Sequence, residues 1–385
     1  MTGRERILAA MNLQQPEDRV PVMCQLSIGH YLVNCGVSPA DYWLHNDVIV
    51  DCFVKLAERY RFDGILINLP GRTPMVDEQV ESIEETMDGQ LIRWKRGGSC
   101  LCPSDDLPHE MEQQRVPLEK LEPEKLFFDD PHTLGGLKYP FYYDLEPYEW
   151  TEEGLFPPYV TAIIEGVMAR VGDRLSVHGE VFSPFTQLME RLGYENGLMA
   201  LLTDADKCHA ILERFAAGAG ALAKRQGACG VDAVLISSAF AGGGFISKKM
   251  YEQFVLPYEK LVVAAIHEAG CKAYTHTCGA IGDRLELMEA TGIDGIDTMD
   301  PPPLGDTEIA DAKQRVGGRI FLKGNIDSVN VLLKGTVEQC RQSARERIAA
   351  ASAGGGYILS SACSVAPHVP AENILALVEV AETGG

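Results

Sequence analysis

The 385-residue sequence is short of cations, and it lacks long apolar runs and glycine-rich nucleotide fingerprints. Each absence excludes something. A membrane-spanning helix needs about 18 to 20 consecutive apolar residues, and no run reaches that length. Lysine and arginine total 34 against 55 aspartates and glutamates, a formal net charge of -21. Such a field repels phosphate backbones and anionic membranes, so neither nucleic acid nor a membrane is an expected partner; a protein carrying a basic patch would suit it. No G-x-G-x-x-G follows the first apolar segment, which weakens the dinucleotide-binding version of an open sheet. No Gly/Ser/Pro-rich linker, internal repeat or low-complexity tract divides the chain, and residues 1–385 are expected to form one domain.

Cysteine, by contrast, is plentiful, at 24, 35, 52, 100, 102, 208, 229, 271, 278, 340 and 363. The number is odd and the spacing shows no small disulfide framework. The opening MTGRERILAAMNLQQ reads as an amphipathic helix, not a signal peptide. Reduced thiols in the cytoplasm are therefore expected, and there a Cys/His cluster points to metal or catalysis before disulfides.

Short apolar segments alternate with longer amphipathic ones. Arg19–Gln25, Gly64–Leu69, Leu175–Val181, Ala233–Ser238, Lys272–Cys278, Gly295–Thr298, Ile320–Asn325 and Tyr357–Cys363 read as strands. Runs such as AVLISS and RIFLKG suit parallel strands covered on both faces. Eight strands, each followed by helix, predict an α/β fold, a (β/α)8 TIM barrel, with a doubly wound sheet as the competing layout. Residues 71–157 break the alternation and read as an insertion between the second and third strands, within which TMDGQLIRW predicts a hairpin around Asp88-Gly89.

The sharpest chemical signal is AYTHTCGA, where His276 and Cys278 close the fifth strand. Residues two apart on a strand point the same way, so imidazole and thiol can converge on one ion. Cys363 ends the eighth strand in ILSSACSV, and a barrel gathers strand ends around one mouth. One imidazole and two thiolates suit zinc, with a fourth position left for substrate or water. The competing reading is that these cysteines are small buried hydrophobes.

Other candidates carry two readings each. Glu180 in SVHGEVFSPF is a fourth ligand, a general acid or a substrate contact, or else a solvated helix cap. His178, two residues earlier, is a substrate contact or a core histidine. Asp297 and Asp300 in GIDTMDPPP orient His276, or Asp300 merely begins a turn. Asn325 and Asp327 in LKGNIDS bond a ligand or cap a helix. His30 and Tyr31 in SIGHYLVNCG contact substrate at the mouth or start a helix. The glycines of AFAGGGFIS admit a close cofactor approach or form a turn, since no Lys-Ser/Thr follows as a phosphate loop needs.

Taken in order, RERILAAMNLQQPEDRVPV, GEVFSPFTQLMERLG, THTCGAIGDRLELMEATGIDGI, LKGNIDSVNVLL and SSACSVAPHVPAENILALVEV resemble the uroporphyrinogen decarboxylase superfamily over nearly the whole chain. The likeness is to its cobalamin-linked methyltransferase branch. The decarboxylases of this superfamily hold a polyanionic tetrapyrrole with arginines after the first strand; here MCQLSIGHYLVNCG contains none. The methyltransferase pattern, His-x-Cys and a distant Cys, matches His276, Cys278 and Cys363. The resemblance implies zinc on those residues and methyl transfer to cobalamin (a corrinoid) carried by a separate protein, since no cobalamin-binding module is evident here. The expected donor is a small methylated compound, an aryl methyl ether above all, because Phe141, Tyr142, Tyr143, Tyr148 and Trp150 offer rings to pack on it. Transfer from a methyl-corrinoid to a thiol such as coenzyme M is the alternative; a decarboxylase-like lyase and a non-enzymatic corrinoid chaperone are readings from other classes. The sequence leaves the oligomeric state open.

Overall fold

The computed structural model describes residues 1–95, 97–110, 117–127 and 156–384. Its strands are β1 (Gly64–Leu66), β2 (Val80–Thr86), β3 (Gly89–Trp94), β4 (Ser99–Cys102), β5 (His109–Glu110), β6 (Ser176–Phe182), β7 (Ala233–Ser237), β8 (Lys272–Thr277), β9 (Gly295–Thr298), β10 (Phe321–Ile326) and β11 (Tyr357–Ser361). β1 and β6 to β11 form one curled parallel sheet in the order β1-β6-β7-β8-β9-β10-β11, with helices on its outside. β7, β10 and β11 are buried at every position, as their unbroken apolar runs require when both faces are covered.

Seven of the eight expected strands are present, and the remaining one is corrected. Arg19–Gln25 is extended but joins no ladder. Isolated parallel bridges link Val22 to Leu359 and Leu26 to Val365. Met23 N donates to Leu359 O (3.0 Å) and Asp63 N to Val22 O (2.9 Å), so the segment spans the gap between the two edges without closing the ladder. Two features explain this. Pro21 has no N–H to donate. The Val22 N–H is taken by a side chain, the Asp63 carboxylate, at 2.8 Å.

Asp63 also receives Arg6 Nη1 (2.9 Å) and Arg19 Nη1 (2.7 Å) while almost wholly buried. It therefore ties the extended segment, β1 and the first helix together. That helix, Gly3–Met11, starts at a Thr2/Glu5 capping box. Its Ile7, Ala10 and Met11 pack on Met23, Leu66, Leu235, Tyr274, Phe321 and Ile358, closing the end of the barrel where the strands begin.

Between β1 and β6 the chain adds the antiparallel sheet β2-β3-β4-β5. The expected hairpin is β2 and β3, paired from Ile83–Ile92 to Thr86–Gly89. The stretch after β4 then returns to the other end of the barrel. Asp105 Oδ2 lies 3.0 Å from His368 Nε2, and a Cβ on Gly29 would meet Asp105 O at 1.9 Å. Among the described residues no helix is long and apolar enough to cross a membrane, and none of the eleven cysteines forms a disulfide.

Asp63→Ala removes the shared acceptor of two largely buried arginines and of the Val22 N–H. Removing one partner of a buried ion pair costs about 3–5 kcal/mol, and a loss of that size in urea unfolding is expected. A loss under about 1 kcal/mol would show that the segment is held by other contacts.

Candidate metal centre

β8 carries His276 inside the barrel mouth, and Cys278 follows one residue past the strand end. Nε2 of His276 lies 3.3 Å from Cys278 Sγ, and Cys278 Sγ lies 3.9 Å from Cys363 Sγ. One ligand atom from each residue lies within 4.8 Å of the others. Tetrahedral zinc, with Zn–S near 2.3 Å and Zn–N near 2.0 Å, would set its ligands about 3.8 Å (S···S) and about 3.5 Å (N···S) apart. The donor set and its spacing fit that ion. Among the described residues the cluster consists of these three.

Each ligand has its own support. Gly279 turns the chain after Cys278 at φ +76°, and its N–H donates to Asp300 Oδ2 at 2.7 Å. Asp300 thus holds the Cys278 turn, while burial raises its carboxyl to about 6. Cys363 exchanges two bonds with Ser328: its N–H donates to Ser328 Oγ (2.9 Å), and that hydroxyl donates to Cys363 O (3.1 Å). His276, Asp297 and Lys323 are successive Cα partners across β8, β9 and β10. Lys323 Nζ donates to both Asp297 oxygens (2.9 and 3.0 Å), and Asp297 Oδ2 lies 3.7 Å from His276 Nδ1. The row places a carboxylate at ion-pair distance from Nδ1, which makes no hydrogen bond, while Nε2 faces the Cys278 thiol.

Burial disfavours a charged His276, but Asp297 and Cys363 outweigh it and push the ring up to about 10. The neighbouring Cys278 thiol, with His276, holds Cys363 well below the usual thiol range against its burial. Cys278 is pushed up by Cys363 and by burial. Burial would also raise Asp297, yet Lys323 and His276 keep it below the ordinary carboxylate range. These shifts favour charge on His276 and Cys363 with the proton kept on Cys278, and metal uptake, which needs neutral imidazole and thiolates, would release protons.

The other candidates lie around this centre or away from it. His178 is fully buried inside the barrel, with Nε2 3.0 Å from Ser176 Oγ and Nδ1 2.9 Å from Tyr274 Oη. It takes the core role that its sequence also allowed. Glu180, two residues on along β6, is outside the three-residue cluster; the Tyr274 phenol, raised by burial, is raised further by Asp297 and Glu180. Asn325 donates from Nδ2 to Met299 O (2.7 Å) and Thr307 O (3.1 Å), which fixes the loop after β9. Asp327 caps the turn that follows it by accepting from the N–H groups of Val329 and Asn330. His30 is buried in helix Ile28–Cys35 with Nδ1 2.9 Å from Ala366 O and Nε2 2.8 Å from Tyr60 Oη. Tyr31 packs on Phe53 at 4.5 Å between ring centroids. Neither joins the cluster. Sequence reasoning missed Lys323 and Ser328. Lys323 left one signal, a lysine inside the apolar run RIFLKG, where burial demands a partner.

Two outcomes follow from this geometry. Asp297→Asn is expected to weaken zinc affinity about 10- to 100-fold in competition with a chromophoric chelator; unchanged affinity would remove Asp297 from the orienting role. Burial lowers His178 from 6.5 to about 4. The unfolded chain therefore takes up a proton that the folded chain refuses, and stability contributed by the neutral ring is lost as pH falls from about 6.5 toward 4. His178→Gln should flatten that part of the pH dependence of the urea midpoint, and an unchanged slope would contradict the assignment.

Comparison with known proteins agrees with this architecture. The methylcobamide:CoM methyltransferase MtbA of Methanosarcina mazei is 24% identical over 387 residues, covering 99% of this chain and 98% of that protein. A methylated-thiol–coenzyme M methyltransferase of the same organism is 28% identical over 253 residues, 65% of this chain and 64% of that one. A uroporphyrinogen decarboxylase of Legionella pneumophila is 29% identical over 190 residues, 47% and 49% of the two chains. Among solved structures, a methyltransferase from Methanosarcina mazei shares the fold at a TM-score of 0.72 and 18% identity, covering 100% of this chain and 99% of that one. The uroporphyrinogen decarboxylase (URO-D) family model matches residues 143–384, more than half the sequence, and the chain belongs to that family.

Proposed function

We propose that the protein is a zinc-dependent corrinoid methyltransferase, moving a methyl group between a small compound and the cobalt of a separate corrinoid protein. The observation that carries this reading is the convergence of His276, Cys278 and Cys363 at the barrel mouth with ligand spacings that fit zinc. The names of the relatives at 24% and 28% identity support methyl transfer as the chemistry. A decarboxylase reading finds no arginine in the segment MCQLSIGHYLVNCG to hold a polyanion. The reading takes residues 1–385 as one cytoplasmic domain with 71–157 as an insertion.

Zinc held there would act as a Lewis acid toward the heteroatom that carries or receives the methyl group. The chain's own part is positional. Asp297 and Lys323 fix the imidazole, Asp300 and Ser328 fix the backbone at the two thiols, and three protein ligands leave one position open. Glu180 is retained as a group facing the barrel interior, able to contact substrate or act as general acid.

We read the donor as an aryl methyl ether. The aromatics first considered for holding it, Phe141, Tyr142, Tyr143, Tyr148 and Trp150, lie outside the described residues. Among the described residues, Tyr194, Phe240 and Phe245 cluster beside the Cys278 turn and are rings of the kind such a donor would pack on. The opposite direction, methyl-corrinoid to thiol, is favoured by the names of the relatives, which pair methylcobamide or a methylated thiol with coenzyme M.

The test uses zinc-loaded protein with cob(I)alamin and a panel of methoxyarenes, and in reverse methylcobalamin with thiols, followed by visible absorbance. Turnover with a methoxyarene, lost in Cys363→Ser, is expected. Turnover only from methylcobalamin to thiols would reverse the direction, and no methyl exchange in either direction would sink the reading.

A further inference from the structure

Helix Tyr194–Thr203 begins with Tyr194, and the loop after β7 carries Phe240 and Phe245 on either side of Ala241-Gly242-Gly243-Gly244. The three rings form one cluster. Tyr194 and Phe245 are near parallel, 12° apart with centroids at 5.5 Å. Phe240 meets both edge-on, at 4.5 Å from Tyr194 and 5.7 Å from Phe245, with an interplanar angle of 78° in each case. An edge-to-face anchor and an offset stack of this kind set ring orientation, because the positive edge of one ring meets the negative face of the next. Yet Tyr194 is 41% and Phe245 44% exposed, although most large apolar side chains in this chain are buried. Exposed aromatic rings clustered in this way form a candidate contact surface.

The cluster sits beside the metal-ligand turn. A Cβ on Gly242 would lie 2.4 Å from Cys278 O, and Gly243 N donates to Ala280 O at 2.6 Å, so the glycine loop rides directly on the turn that presents Cys278. The next residue, Gly244, faces open space: no atom lies within 4 Å of the Cβ it lacks. The same is true of Gly279 on the ligand turn. Bare glycine backbone at Gly244 and Gly279 thus leaves the loop and the ligand turn beside the rings free of side-chain obstruction. Burial, together with Glu190 and Cys278, raises the Tyr194 phenol to about 12, which agrees with this closeness.

We propose that Tyr194, Phe240 and Phe245 are specificity-determining residues, a shelf that binds the aromatic ring of the methyl donor beside the metal centre. The inference rests on the aryl-ether reading above and gives it a place. A planar ring stacks on the Tyr194 and Phe245 faces, while a saturated ring of equal size gains only area. The glycine loop keeps the space clear, so the donor's ring lies on the shelf and its methoxy group points toward His276, Cys278 and Cys363.

The test is equilibrium binding, by titration calorimetry, of 4-methoxyphenol and its saturated counterpart 4-methoxycyclohexanol to the full zinc-loaded chain. The arene should bind at least several-fold tighter. Tyr194→Leu and Phe245→Leu should each weaken arene binding about tenfold, equivalent to about 1.4 kcal/mol, with the saturated probe unaffected. Tyr194→Phe should bind as wild type, since the ring and not the hydroxyl is used. Gly244→Val, at a position where a side chain meets nothing, should abolish arene binding with an unchanged melting temperature. Equal binding of the two probes, binding of neither, or arene binding indifferent to these substitutions would overturn the proposal. So would a defect that appears only when a corrinoid protein is the acceptor, which would assign the rings to partner docking. The functional reading fails separately, on absence of methyl exchange with cob(I)alamin, whether or not the arene binds.

Discussion

The mouth of this barrel is organised by one buried carboxylate. Asp297 stands between a lysine and a histidine on adjacent strands, and all three are almost fully buried. Burying three ionisable groups costs several kcal/mol per ion unless each finds its counterpart. Here Lys323 gives Asp297 two hydrogen bonds, and the carboxylate so held lies 3.7 Å from His276 Nδ1, an ion-pair contact and not a hydrogen bond. With the carboxylate gone, Lys323 would be an unpaired cation in the barrel and the imidazole would lose its orienting partner. The register supplies the rest, since the three residues are Cα partners in successive rungs and their alignment follows from the pairing of β8, β9 and β10.

The two thiols come to that row from different directions. Cys278 belongs to the same strand end as His276, and its position depends on the Gly279 turn and Asp300. Cys363 arrives from β11, and Ser328, at the end of β10, locks its backbone by a reciprocal pair of bonds. The centre therefore draws on every strand from β8 to β11. At the far end, the Gly3–Met11 helix packs across the barrel where the strands begin.

Much of this was readable from the sequence, and the exceptions have physical causes. Seven strands were recognisable because parallel strands covered on both faces are nearly continuous apolar runs. Arg19–Gln25 carries the same signal, but Pro21 and the capture of the Val22 N–H by Asp63 are local events that periodicity does not register. The convergence of the three candidate ligands was legible because His276 and Cys278 sit two apart at a strand end and Cys363 at another. The role of Lys323 was not, because its place in the apolar run RIFLKG signals a buried partner without saying which one. His30 and His178 show the reverse: both stand near strand ends in the sequence, yet both have their ring nitrogens engaged in the core. The rings of Tyr194, Phe240 and Phe245 come from two segments whose meeting no local pattern foretells.

The most direct test of this account is the metal content of freshly purified, reduced protein, measured by mass spectrometry beside Cys278→Ala and Cys363→Ser. About one zinc per chain in the wild type, absent from both variants, is the expected result for a three-ligand site. A wild type that holds no metal and takes up none when zinc is added would contradict the account. The fold would stand, and the chemistry at the barrel mouth would have to be sought without a metal.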